Sequence, residues 1–241
     1  TKSFGGLMAV SNVNINLNQG ELVGLIVPKG AGKTTVFNLL TGVYVPSEGA
    51  ITFVRDGEEK SLVGLKPHKI CEAGIARTFQ NIRLFKDLTV LDNVRIAMHK
   101  NVKYGLVSSF IHLPSYQREE KKLIEDSIEL LKILGLEDKL NELAKNLPYG
   151  EQRHLEIARA LATNPSLLLL DEPAAGMNPA ETSQLMDIIA FIRDKFKLTI
   201  LLIEHDMSLV MKICERIYVL DYGMVIAEGT PKEIEENKRV I

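Results

Sequence analysis

The apolar positions of this chain change their period along its length, and the changes mark its parts. Val13, Ile15 and Leu17 alternate with asparagines, the period-two pattern of a strand with one buried and one wet face. Thr1 to Val27 therefore reads as β. Gln19-Gly20 marks a turn, and the unbroken apolar run Leu22 to Val27 reads as a buried strand. Val36 to Thr41 reads as a helix closed by Gly42. Gly49 to Val54 is a further β segment, followed by the turn Arg55-Asp56-Gly57. Pro67 and Ala73-Gly74 bracket a short helix, and Ile75 to Phe79 is a β stretch ending at Gln80. From Leu88 to about Ala162 the period is helical: Leu123, Ile124, Ile128, Leu131 and Leu134 share one face, and Gly135 ends the run. Asn101 to Pro114 is irregular and reads as an insertion. After Pro165 the α/β pattern returns. Leu167–Leu170 and Leu198–Ile203 are continuous apolar runs of the kind found in central parallel strands. Arg216 to Glu228 reads as a hairpin turned at Asp221-Tyr222-Gly223, and Pro231 to Asn237 as a terminal helix.

An α/β core interrupted by a helical lobe is the architecture this pattern predicts. Composition narrows what it does. Lys and Arg total 29 against 31 for Asp and Glu, a net charge of -2, so no strong basic field for nucleic acid exists. The charges Arg118 to Lys122 read as a solvated face. Cys71 and Cys214 have no partners at metal-ligand spacing, which suits a reducing compartment. No apolar run is long enough to span a membrane, so a membrane role must come through a partner. No secretory signal is read, and a chain that starts at Thr1 without Met is expected to lack its true start.

Three stretches carry candidate chemistry. Val27-Pro28-Lys29-Gly30-Ala31-Gly32-Lys33-Thr34-Thr35 joins a strand to a helix and approximates the phosphate-binding pattern G-x-x-x-x-G-K-[ST], with Val27 in the place of the first glycine. In such a loop the backbone N–H groups and the helix dipole hold phosphate oxygens, the lysine meets the β- and γ-phosphates, and the hydroxyl after it meets Mg²⁺. Lys33 is then expected to point into a solvent-filled cleft. An ordinary strand-to-helix turn is the alternative. Leu167–Leu170 runs into Asp171-Glu172-Pro173. An acid at the end of a buried strand is placed to hold Mg²⁺. Its neighbour Glu172, expected on the other side of the strand end, is placed to polarise a water; a solvated acidic turn is the alternative. Leu147 to Arg153 opens a helix with Gly150, either a second anion site or a plain cap after a proline turn. In open α/β sheets ligands lie beyond the carboxyl ends of the strands, where Lys33, Gln80, Asp171 and His205 all fall.

In this order the stretches resemble the ATP-binding cassette ATPases over nearly the whole chain. Phe4-Gly5-Gly6-Leu7, Arg77 to Phe85, Tyr149 to Arg153 and Asp171 to Pro179 look like the ATPase subunit of branched-chain amino-acid importers. The resemblance implies an α/β P-loop NTPase core with a mixed sheet, an antiparallel β N-terminal part and an inserted helical subdomain: core 1–85 and 163–241, helical subdomain 86–162. It implies that Phe4 stacks on adenine, that Gly30, Ala31, Gly32, Lys33, Thr34 and Thr35 cradle phosphate, and that Thr34, Gln80 and Asp171 serve Mg²⁺. Glu172 matches the general base, Gln80 the glutamine that senses metal and attacking water, and His205 the histidine bonding the γ-phosphate. Gly150 and Glu151 belong to the signature that closes over ATP on an opposite subunit. His68, His99, His112 and His154 lack such a context and read as surface residues.

The resemblance further implies ATP and Mg²⁺ as ligands, a second cassette, integral membrane permease subunits, indirectly a solute-binding protein, and a place at the cytoplasmic face of a membrane. An export ATPase of the lipopolysaccharide type is the nearest alternative within transport. A cassette that binds nucleotide but hydrolyses it poorly is another, because Val27 replaces a loop glycine and Pro148 replaces the signature serine. Lys29 stands for a common asparagine, and Asn178 for a common aspartate.

Overall fold

The computed structural model describes residues 1–28, 31–99 and 114–240, with the side chains of residues 114–116 left out. The chain divides into two compact units, one of Thr1–Gln80 with Ser166–Ile241 and one of Asn81–Pro165.

The first unit begins with an antiparallel pair, β1 (Lys2–Phe4) and β2 (Leu7–Val10), and continues to β3 (Leu22–Ile26) and helix α1 (Lys33–Leu40). A second antiparallel pair, β4 (Thr52–Arg55) and β5 (Glu58–Ser61), flanks the Asp56-Gly57 turn, followed by α2 (Pro67–Ala73) and β6 (Ile75–Arg77). The expectation of β structure over the whole of Thr1–Val27 is corrected here: residues 11–21 form no strand. Val13, Ile15 and Leu17 nevertheless pack against the core while the asparagines between them are exposed. Alternation reports which face is buried, and an extended segment keeps it without ladder partners.

The second unit carries α3 (Val90–Met98), α4 (Pro114–Ile133) and α5 (Tyr149–Ala162). Thr89 caps α3 by accepting from the N–H of Asp92. The insertion expected between Asn101 and Pro114 lies, but for Pro114 itself, outside the described residues.

Back in the first unit come β7 (Leu167–Asp171), α6 (Pro179–Phe196), β8 (Thr199–Glu204), α7 (Met207–Ile213), β9 (Arg216–Asp221), β10 (Met224–Gly229) and α8 (Pro231–Glu235). The six-stranded sheet has the order β10-β9-β3-β8-β7-β6. It is mixed: β10 alone runs antiparallel to its neighbour. β3, β7 and β8 are buried along their whole length, as strands covered on both faces must be. Val23, Leu25, Leu169, Leu201, Ile203 and Phe37 form the centre of the core. Placing these strands in parallel brings the segments after β3, β6, β7 and β8 to one edge.

Candidate functional site

Gly32 is the N-cap of α1 at φ 100°. A Cβ there would lie 2.8 Å from the carbonyl oxygen of Ala9, and one at Gly223 (φ +76°) would lie 2.5 Å from the same oxygen. Both glycines are therefore required, by left-handed backbone and by close approach of the β2 chain. Ala31 is buried, Thr34 exposed and Thr35 half-buried. Gly30 and Lys29, both expected in the phosphate loop, lie outside the described residues. Val27 takes no left-handed φ and is buried in the core with Val10, Ala31 and Val36. A branched residue in the first glycine's place therefore brings no left-handed strain at Val27 itself.

Lys33 is the first residue of α1, and its Nζ ion-pairs with Glu172 Oε1 and lies 3.8 Å from Asp171 Oδ1. The side chains of Lys33, Glu172 and Asp171 are 18%, 12% and 5% exposed. Two expectations are corrected by this. Lys33 does not stand in a solvent-filled cleft; it is neutralised by two carboxylates. Nor does Glu172 leave on the opposite side from Asp171. Its φ of 44° breaks strand alternation, so both acids turn towards the same ammonium. The backbone N–H of Glu172 donates to Ile203 O at 2.9 Å, which anchors the break to β8.

Gln80 Nε2 donates to Glu172 Oε2 at 2.8 Å. His205 follows β8, is 57% exposed, and has its Nδ1 3.8 Å from both Glu172 Oε1 and Glu204 Oε2. Lys33, Gln80, Asp171, Glu172 and His205 thus converge. Glu204, the last residue of β8, is buried and accepts the N–H of Ala174 at 3.0 Å. Burial pushes its carboxyl above the usual glutamate range, against the pull of the Ala174 N–H and of His205.

Asp171 is held from another side. Arg77 Nη2 donates to its Oδ2 at 2.9 Å, whereas Oδ1 is buried with no hydrogen-bond partner among the described residues, the Lys33 ammonium lying 3.8 Å away. A buried acceptor without a donor is costly unless something else fills the position. A hard cation, which takes carboxylate oxygens, fits that atom. Neither Arg77 nor Glu204 was legible as a site residue, since an arginine closing a three-residue strand and an acid beside a histidine are ordinary patterns.

Phe4 is part-exposed and edge-on to Tyr44, with ring centroids 5.1 Å apart; Lys2 Nζ lies 5.1 Å from its ring.

In the second unit Pro148 is the N-cap of α5, with no side-chain cap bond, and Gly150 is buried in the first turn. Both carboxylate oxygens of Glu151 accept from Lys139 Nζ, at 2.6 and 2.7 Å. Arg153 is fully buried and donates to Glu156 at 2.6 Å, and Glu156 accepts the N–H of Arg83 at 3.1 Å. His154 is corrected from a surface residue: it is half-buried, with Nδ1 3.1 Å from Leu134 O. His68 and His99 are exposed; His112 is outside the described residues.

Comparison with known proteins places this geometry. The family model described as ABC transporter matches residues 10–175. The high-affinity branched-chain amino acid transport ATP-binding protein LivG of Salmonella typhimurium is 49% identical over 238 residues, covering 99% of this chain and 92% of LivG. Among solved structures, the ADP conformation of an ATP-binding cassette of an ABC transporter superposes with a TM-score of 0.83 at 30% identity, covering 99% of this chain and 93% of that one. A dimeric bacterial ABC transporter cassette does so with a TM-score of 0.77 at 25% identity, covering 93% and 91%.

Proposed function

This chain belongs to the ABC transporter family as an ATP-binding cassette, and we propose that it hydrolyses ATP to power the import of branched-chain amino acids. The observation that carries the chemistry is the convergence of Lys33, Glu172, Gln80 and His205 beside Asp171 Oδ1, a buried acceptor with no hydrogen bond among the described residues. Likeness to LivG over nearly the full length of both chains supports the substrate class.

In this reading Lys33 exchanges its carboxylate partners for the β- and γ-phosphates, a charge-assisted contact in either state. The exchange releases Glu172, which then takes a proton from a water attacking the γ-phosphorus. Gln80 orients that water together with Glu172, and the exposed His205 approaches the γ-phosphate. Phe4 stacks on the base. Ala31, Gly32 and Thr35 offer backbone N–H groups or hydroxyl to phosphate, a role Gly30 shares by resemblance alone. Asp171 Oδ1 and the exposed Thr34 hydroxyl are suited to hold Mg²⁺, with Gln80 nearby. When bound, that ion neutralises charge on the β- and γ-phosphate oxygens.

Gly150 and Glu151 at the start of α5 belong, on the same reading, to a surface offered to ATP on a second cassette, and the dimeric relative supports a paired unit. No helix among the described residues is long and apolar enough to cross a membrane. Likeness to LivG supports a place at the cytoplasmic face of a membrane, docked on integral permease subunits and served indirectly by a solute-binding protein.

The test is co-expression with candidate permease subunits and a second cassette, followed by reconstitution in vesicles loaded with ATP, with the solute-binding protein added outside. Uptake of radiolabelled leucine that requires this chain and its Glu172 supports the proposal. ATP turnover by the assembly with no uptake of any branched-chain amino acid overturns the import assignment.

A further inference from the structure

We infer that Arg77 is a positioning residue of the cation site, clamping Asp171 to α1 so that one carboxylate oxygen stays open to a divalent cation. The inference rests on the assignment of Asp171 and Thr34 to Mg²⁺ made above.

Arg77 closes β6, and its side chain is only 8% exposed. Nη2 donates to Asp171 Oδ2 at 2.9 Å, and Nη1 donates to Asn38 Oδ1 at 2.8 Å. The guanidinium carbon lies 5.0 Å from the centre of the Phe37 ring and 4.9 Å from that of Phe79. Two directed bonds and two ring faces leave the group little freedom. A planar fork reaches two acceptors in fixed geometry, which an ammonium does not.

The two anchors are informative. Asn38 lies one turn beyond Thr34 on the same face of α1. Asp171 ends β7. The clamp thus ties together the two elements that carry the expected cation ligands. It also divides the labour of one carboxylate: Oδ2 accepts from Arg77, while Oδ1 is buried with no hydrogen-bond partner among the described residues and faces only the Lys33 ammonium, 3.8 Å away, which the proposed mechanism turns to phosphate. Were the pair only a core ion pair, both oxygens would be expected to find donors. Groups that orient a ligating carboxylate typically change metal affinity about 10- to 100-fold when removed. An opposing effect exists, because the guanidinium charge repels a second cation. Removal of Arg77 therefore has opposite signs under the two views: weaker binding if orientation dominates, tighter if repulsion does.

The experiment titrates Mn²⁺ into the full chain with bound ADP, reading free Mn²⁺ by electron paramagnetic resonance. In parallel it measures affinity for a fluorescent ADP in EDTA. Arg77→Met is expected to weaken Mn²⁺ binding about tenfold and to leave cation-free ADP affinity within about twofold. Asn38→Ala, which cuts only the α1 anchor, is expected to weaken Mn²⁺ binding in the same direction. Mn²⁺ affinity that is unchanged or tighter in Arg77→Met overturns the inference, as does a matching fall in cation-free ADP affinity. If Arg77→Met does not fold, Asn38→Ala decides, and unchanged Mn²⁺ affinity there overturns it. Asp171→Asn separates the levels. A loss of Mn²⁺ affinity at Asp171 without one at Arg77 fails this inference alone, whereas no loss at Asp171 fails the magnesium assignment and the inference with it.

Discussion

Lys33 and Glu172, 139 positions apart, form an ion pair that joins the first turn of α1 to the residue after β7. With Asp171 Oδ1 also 3.8 Å from the ammonium, two acids and one base share a largely buried site. Each group is therefore compensated before nucleotide arrives, and binding proceeds by exchange of partners rather than by filling an open cleft. Isolated charges there would be far more expensive to bury.

Glu172→Gln removes the proton acceptor and keeps the shape. Turnover is expected to fall about 10²- to 10⁴-fold, the usual contribution of a general base. ATP binding is expected to persist and to tighten, because Lys33 loses a competing carboxylate. Phosphate release and equilibrium ATP binding check this; parental turnover would remove Glu172 from the role of base.

Lys33→Ala loses a charged contact to phosphate worth about 2 kcal/mol, roughly a thirtyfold weaker ATP affinity. It also leaves Asp171 and Glu172 without their shared cation. The variant is therefore expected to unfold at lower denaturant as well. Titration calorimetry and urea unfolding test the two halves separately, and full affinity in the variant contradicts the phosphate role.

Val27→Gly restores the family's loop glycine but removes a core side chain. Loss of stability of about 2–4 kcal/mol is expected from the cavity and the added backbone freedom, with no gain in ATP affinity. Chemical unfolding and ATP titration decide; tighter ATP binding with stability intact would show that the valine does obstruct the loop.

Pro148→Ser supplies a hydroxyl at an N-cap that makes no side-chain bond. Stability of the second unit is expected to rise by about 1 kcal/mol, the typical worth of a serine cap. Hydrogen exchange of the first turn of α5 reports it, and unchanged protection would mean the new hydroxyl finds no N–H there.

Glu204→Gln addresses pH. The Glu204 carboxyl is raised by burial above the ordinary glutamate value of 4.5. A raised group contributes stability that is fully present below the unfolded value and lost as pH rises through the folded one. Glutamine still accepts from Ala174 and carries no such dependence. Relative to its parent, the variant is expected to gain stability as pH climbs from about 4.5 towards neutrality. Urea midpoints at both ends of that interval measure it; a constant difference would refute the burial argument.

Much of the core was readable in one dimension. The runs Leu22–Val27, Leu167–Leu170 and Leu198–Ile203 are apolar throughout because strands buried on both faces admit nothing else, and each contains or overlaps a central strand. Gly32, Lys33, Asp171 and Glu172 were readable because loop and strand-end chemistry leaves fixed residue types at fixed spacing. Glu58–Ser61 was not readable as a strand: all four residues are exposed, and pairing with β4 defines them.

Local pattern therefore determined the strands, the helical lobe and the residue types of the candidate site. Tertiary structure alone decided the partners. The left-handed turn at Glu172 sends its carboxylate to Lys33, because that backbone angle is set by the bond to Ile203 on a neighbouring strand. Arg77 meets Asp171 and Asn38 because parallel pairing of β6 with β7 brings those strand ends together, and α1 lies within reach. Val27 is accommodated for the same reason: it is buried in a cluster whose members, Val10, Leu169 and Leu220 among them, come from distant parts of the chain, and packing cannot be read from the spacing of one stretch.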